Sequence, residues 1–216
     1  MIFLNPVGHA AGDNARVFES DSPGIPTMRS FAKTLIFVSL LCGTLAACTP
    51  EPASRPGRSA GADFILQGPA GTVDSKALRG KVVLLFFGYV NCPDVCPTSL
   101  AAMNEVLNGM TPEERARIQP ILVSVDPERD TPESLKNYAA YFHPSLVGVT
   151  GTPEQVAALA RAFGAGYIRQ PARSDGSYAV DHSANTYVVG RDGKLAATLP
   201  LGAAADDLWA AIRKAL

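Results

Sequence analysis

Two thiols four residues apart are the first feature with chemistry in it. Cys92 and Cys96 stand in Gly88-Tyr89-Val90-Asn91-Cys92-Pro93-Asp94-Val95-Cys96-Pro97, after the apolar run 82–87 and ahead of an amphipathic segment beginning near Thr98. If helical geometry has already begun there, a rise of about 1.5 Å and a turn of about 100° per residue put the pair on one face, with Cα atoms roughly 6 Å apart. That separation lies within disulfide range. The same sulfurs can therefore close on each other or clamp one soft metal ion. Free N–H groups and the dipole at a helix N-terminus favour thiolate over thiol. A plain structural bridge is the weaker reading, because closing so short a loop removes little entropy from the unfolded chain.

Two thiolates with an imidazole suit Cu(I). Zinc wants four protein ligands, or three and a water, and no further cysteine follows Cys96. The candidate imidazoles are His143 and His182. His143 follows the helical apolar face of Tyr138 and Phe142 and precedes Pro144, so it reads as a helix C-terminal histidine interacting with the dipole. His182, in Asp181-His182-Ser183-Ala184 just before a strand, fits a ligand and a solvated loop histidine equally well. Asp94, between the thiols, reads as a carboxylate at a helix N-terminus, since hard oxygen matches Cu(I) poorly. Asp126 and Asp130 can orient a site from behind its ligands or serve as turn and capping residues. Phe87 and Tyr89 read as core or site wall.

The elements around these residues follow from pattern. Gly68-Pro69 and Gly71 break 64–73 into a hairpin or edge strand. The continuous apolar run in 81–89 predicts a strand covered on both faces, as in a parallel sheet, and 120–125 predicts a second. Leu100, Met103, Val106, Leu107 and Met110 have helical spacing over 98–110. Thr111-Pro112, Thr131-Pro132 and Thr152-Pro153 are helix starts, with Glu114 and Gln155 completing capping boxes. Residues 146–149 and 166–169 read as short strands, and 170–180 as polar and irregular. Residues 185–189 and 195–199 form a hairpin in which Asp192-Gly193 suits a tight type I′ turn. A terminal helix spans 205–216. Alternating strands and helices, then a hairpin, predict an α/β fold with a mixed central sheet flanked by helices.

Ahead of the domain, Arg29 and Lys33 precede the apolar stretch 34–41, and Leu45-Ala46-Ala47-Cys48 ends it. This is the pattern of a signal peptide closing in a lipobox, with Cys48 lipidated as the first mature residue. A transmembrane anchor is the alternative, but 34–48 falls short of the ~20 residues a bilayer needs. The acidic residues Asp13, Glu19 and Asp21 do not belong in a leader, which suggests translation from Met28. The expected organisation is an upstream extension and lipoprotein signal peptide over 1–47, a flexible tether over 48–62 and a folded domain over 63–216. Cleavage would remove Cys42 and block Cys48, leaving Cys92 and Cys96 as free thiols in an oxidising compartment. The net charge of −1, from 19 basic and 20 acidic residues, excludes a basic nucleic-acid-binding surface.

Three separated blocks resemble the SCO/SenC family of copper-delivery proteins: 88–97, then Val123-Ser124-Val125-Asp126-Pro127-Glu128-Arg129-Asp130-Thr131-Pro132-Glu133, then Asp181-His182-Ser183. The resemblance covers about 64–216. It implies a thioredoxin-like fold and copper held by Cys92, Cys96 and His182, as Cu(I) with Cu(II) left open. It also implies a role in building the binuclear copper centre of cytochrome c oxidase. The partners would be the oxidase subunit bearing that centre and, further, another periplasmic copper chaperone or a thiol reductase. Many members keep a transmembrane anchor, whereas this chain reads as lipid-anchored on the periplasmic side of a bacterial membrane. The competing function is a thiol–disulfide oxidoreductase in which Cys92 and Cys96 are the catalytic pair. A thiol peroxidase on the same fold is a third and weaker reading.

Overall fold

The computed structural model describes residues 61–216. The leader, Cys48 and the tether as far as residue 60 lie outside the described residues. Strands β1 (Ile65–Gly68) and β2 (Gly71–Asp74) pair as an antiparallel hairpin. A 3-10 turn, Ser75–Leu78, leads into β3 (Val82–Gly88). There follow α1 (Val95–Asn108), α2 (Pro112–Ala116), β4 (Ile118–Ser124), α3 (Pro132–Phe142), β5 (Val147–Val149) and α4 (Pro153–Ala162). The chain ends with β6 (Tyr167–Arg169), β7 (Val180–His182), β8 (Thr186–Val189), β9 (Leu195–Leu199) and α5 (Ala205–Ala215).

The central sheet has the order β5-β4-β3-β8-β9. β3, β4 and β5 run parallel, and β8 and β9 add antiparallel strands. The mixed sheet expected from the alternation is thus present, with β3 in the middle. All seven residues of β3 are buried, because helices cover both faces. Phe87 on one face meets Phe163 and Tyr187 edge to face, with centroids 6.1 and 5.7 Å away. Fully burying each such apolar side chain stabilises the fold by roughly 1.5–3 kcal/mol. Pro120 is tolerated inside β4 because β5 does not reach it: pairing with β5 begins at Ile121↔Val147.

Three helices start where threonine precedes proline. Thr111, Thr131 and Thr152 each accept the N–H three residues on, from Glu114, Ser134 and Gln155, whose side chains reach back to the threonine N–H. These reciprocal bonds satisfy donors that a helix start leaves free.

Three expectations are corrected. α1 begins at Val95, not near Thr98, so Pro97 lies inside its first turn; its missing N–H removes nothing there, because the first four N–H groups have no intrahelical partner. Cys96 is therefore helical and Cys92 precedes the helix in a turn. The β8–β9 connection is not a two-residue type I′ turn. Arg191, Asp192 and left-handed Gly193 (φ 79°) form a three-residue loop, with Gly193 N–H donating to Gly190 C=O at 2.8 Å and Gly190 N–H to Lys194 C=O at 2.8 Å. Finally, Val180, the last residue of the segment read as irregular, starts β7 and carries Asp181 and His182 into it; β7 pairs with β6 through Tyr167↔His182, Ile168↔Asp181 and Arg169↔Val180.

Candidate metal centre

The turn Tyr89–Cys92 leaves the C-terminal end of β3, where the Cys92 N–H donates to the Tyr89 carbonyl at 3.2 Å. Cys92 ends there almost buried, 7% exposed, and Cys96 lies fully buried in the first turn of α1. Gly88 makes room for it: a Cβ at that position would stand 2.7 Å from the Cys96 sulfur and 2.9 Å from the Phe86 ring. Both cysteines are free thiols. Burial pushes the Cys96 pKa up. The preference for thiolate at a helix start is therefore outweighed, because removing a charge from water costs more than the dipole returns.

His182 arrives from the other side, at the end of β7. Its Nε2 lies 3.3 Å from Cys96 Sγ and 3.6 Å from Cys92 Sγ. The three ligand atoms all fall within 4.8 Å of one another, and among the described residues they are the one Cys/His/Asp/Glu group that converges in this way. His182 thus stands on a strand and faces the two thiols, instead of lying in a solvated loop. Its Nδ1 lies 3.1 Å from the Ser183 carbonyl. A carbonyl only accepts, so Nδ1 carries the hydrogen and Nε2 turns a lone pair toward the sulfurs. Burial lowers the His182 pKa, opposed by backbone groups of Ser183 and Phe87, which keeps that lone pair free of protons at neutral pH. Phe86 and Tyr89 meet the imidazole edge to face, with centroids 6.1 and 5.7 Å away.

The other sequence candidates separate cleanly. His143 is at the end of α3, as expected, but its side chain is buried and its Nδ1 accepts the Ser145 N–H at 3.1 Å. Burial, with the Arg115 charge, lowers its pKa. It is a neutral buried residue and does not act as a cation on the dipole. Asp94 is exposed at the N-cap of α1 and makes no side-chain cap bond. Asp126 and Asp130 do both jobs proposed for them. The Asp126 carbonyl accepts the Arg129 and Asp130 N–H groups in a turn. The buried Asp130 carboxylate accepts the Val90 N–H at 3.1 Å and the Ser124 hydroxyl at 2.7 Å, which ties down the chain two residues before Cys92. Burial raises the Asp130 pKa. Asp126 is ion-paired with Arg129 and accepts the Tyr178 hydroxyl at 2.8 Å.

Two supports were not legible in the sequence. Arg129 stacks on the Tyr178 ring, 3.6 Å from its centroid, and donates to the Tyr178 carbonyl at 3.0 Å. The Tyr89 hydroxyl accepts the Val180 N–H at 3.2 Å. Both bonds join the β3–β4 side of the site to the strand carrying His182, across 49 and 91 residues of chain. No local pattern encodes such a contact.

Two soft sulfurs and one imidazole, with no carboxylate oxygen among them, make a site for a soft, low-coordinate ion and a poor one for Mg²⁺ or Ca²⁺. Fold and site together define a thioredoxin-like domain with a Cys-x3-Cys pair and a histidine at one end of its sheet. The chain belongs to the SCO1/SenC family, whose model matches residues 52–216. A protein from Stutzerimonas stutzeri, named as copper-binding, is 40% identical over 122 residues, which cover 56% of this chain and 59% of that protein. An SCO2-like protein from Rickettsia conorii is 35% identical over 177 residues, covering 75% of this chain and 86% of that protein. The copper-bound structure of Bradyrhizobium japonicum ScoI superimposes with a TM-score of 0.66 at 39% identity, covering 73% of this chain and 99% of that one.

Proposed function

We propose that this chain is a copper chaperone that carries one Cu(I) on Cys92, Cys96 and His182 and delivers it to the binuclear copper centre of cytochrome c oxidase. The observation that carries the reading is the convergence of three soft donor atoms within 4.8 Å, with the His182 lone pair already aimed at both sulfurs. The copper held by a 39% identical family member supports it, as does a 27% identical solved structure described as a member of the Sco family of cytochrome c oxidase assembly proteins. The protein would work from the periplasmic face of a bacterial membrane, held by a lipid on Cys48 and a tether over 48–62, with 63–216 as the working domain.

The chemistry follows from burial. Metal binding takes the proton from each thiol, so loading releases protons, including the one that burial holds on Cys96. Cys96 is fully buried, whereas Cys92 and His182 retain some exposure, so copper leaves past those two. An acceptor's thiolates approach on that side and exchange ligands one at a time. A disulfide between Cys92 and Cys96 offers no thiolate and carries no copper.

One observation favours a second reading. The two thiols are free, adjacent and unequal in exposure, which is the arrangement of an attacking and a resolving cysteine in disulfide exchange. A thiol–disulfide oxidoreductase acting on the oxidase copper-site cysteines, or on another exported thiol protein, would use Cys92 and Cys96 without His182. Replacing His182 with Ala in cells separates the two. The chaperone reading expects the oxidase copper centre to be lost while thiol–disulfide exchange of the purified protein persists. Full oxidase assembly in that strain would move the assignment to the reductase.

A further inference from the structure

Tyr89 touches both halves of the site. Its carbonyl accepts the Cys92 N–H at 3.2 Å, inside the turn that carries the first sulfur. Its hydroxyl accepts the Val180 N–H at 3.2 Å, two residues before His182 on β7. Its ring edge meets the imidazole, with centroids 5.7 Å apart. The side chain is 2% exposed, and Arg129 lies 5.7 Å from its ring centroid. β7 has only three residues and pairs only with β6, itself three residues long. So short a two-stranded ribbon does not hold a register by itself. The ribbon's pairing extends one residue at each end, with Ser183 N–H donating to the Gly166 carbonyl and Gln170 N–H to the Ala179 carbonyl, both at 2.9 Å. Toward the β3–β4 side of the site, β7 is held by the Tyr89 bond to Val180 and, two residues earlier, the Arg129 bond to the Tyr178 carbonyl.

We infer that Tyr89 is a positioning residue: a strut, built into the cysteine turn, whose hydroxyl sets the place of His182 against the two sulfurs. The imidazole is delivered by a strand remote in sequence. A ligand triad assembled from two separate pieces needs its members held to about 0.5 Å to bind metal at full strength. Tyr89 does this without touching the ion. The hydroxyl acts on β7 through Val180, and the ring closes the side of the imidazole away from solvent. The hydroxyl's contribution to copper affinity therefore passes entirely through His182. The copper part of this inference rests on the three-ligand reading; the metal-free part does not.

The test is Tyr89→Phe, which deletes the hydroxyl and keeps the ring, made alone and together with His182→Ala in the full chain. In the metal-free single variant, exchange of the Val180 amide should accelerate by about 5–10-fold, as expected for one lost hydrogen bond. Cu(I) affinity, read by competition with a chromophoric chelator, should fall by a similar factor of roughly 5–10 when His182 is present. On the His182→Ala background, Tyr89→Phe should change affinity no further. A tyrosine that merely stabilises the fold would lower affinity equally on both backgrounds, and that result overturns the inference. Unchanged protection of the Val180 amide also overturns it. If Tyr89→Phe does not fold, Val180→Pro removes the donor from the other side of the bond and should give the same dependence on His182. If His182→Ala alone leaves affinity unchanged, the three-ligand reading fails, and the amide-exchange result still decides whether Tyr89 holds β7.

Discussion

His182 and His143 are both largely removed from solvent, and burial lowers the pKa of both, yet they are opposite tautomers with opposite surroundings. His182 gives its Nδ1 hydrogen to the Ser183 carbonyl and turns a bare Nε2 toward two thiols. His143 spends its Nδ1 lone pair on the Ser145 N–H, which leaves the hydrogen on Nε2, buried without a partner. A depressed pKa therefore does not by itself mark the functional histidine. The nitrogen left with a free lone pair does, together with what faces it.

The largest break in this comparison is His182→Ala. Cu(I) affinity should fall by more than the roughly 10–100-fold that losing an outer-shell partner costs. It should not vanish, because two thiolates still hold Cu(I). Competition titration measures it, and affinity equal to the wild type would remove His182 from the site. Gly88→Ala comes next. The added methyl must displace the Cys96 sulfur or the Phe86 ring, so stability should drop by roughly 1–3 kcal/mol. Copper affinity should drop with it, because the displaced sulfur is one of the three proposed ligands. Denaturant unfolding with a parallel copper titration reads both, and a destabilised protein with intact affinity would show that the sulfur kept its place.

How much of this was open to sequence reading depended on the distance over which each feature is encoded. The starts of α2, α3 and α4 were legible because threonine, proline and the partner side chain lie within four residues. The cysteine pair was legible as a pair, but its geometry was not. The expectation of one helical face failed at Cys92, since α1 starts only at Val95 and the approach of the sulfurs comes from the Tyr89–Cys92 turn and from Asp130 holding Val90. β7 was missed because its three residues show no usable periodicity and its partner β6 lies across a ten-residue polar loop. His182 was singled out through its motif, while its tautomer, its strand and its Tyr89 neighbour depend on contacts between distant parts of the chain.

His143→Ala sharpens the comparison from the other side. It strips the Ser145 N–H of its acceptor and should cost roughly 1–3 kcal/mol of stability. Copper affinity and oxidase assembly should remain those of the wild type. A loss of copper binding there would join the two histidines in one site and end the distinction drawn above.

The smallest effect is on pH. Both folded histidines bind protons less readily than the unfolded chain, whose imidazoles titrate near ~6.5. Their contribution to the stability of the metal-free protein is then fully present above about pH 6.5 and falls as pH drops through that value toward the depressed folded pKa values. Each histidine contributes at most about 1.4 kcal/mol per pH unit. His143→Gln should flatten the slope below about pH 6.5, by removing one of the two buried histidines. An unchanged slope in thermal unfolding would show that His143 is not held neutral.

Copper delivery by this site requires that one ion sit on all three donors at once. X-ray absorption at the copper edge, on reduced protein loaded with one Cu(I) per chain, reads that shell directly. Two sulfurs and one nitrogen are expected in the native protein, and two sulfurs without that nitrogen in His182→Ala. A native shell of sulfur alone, or a spectrum that His182→Ala leaves unchanged, would contradict it.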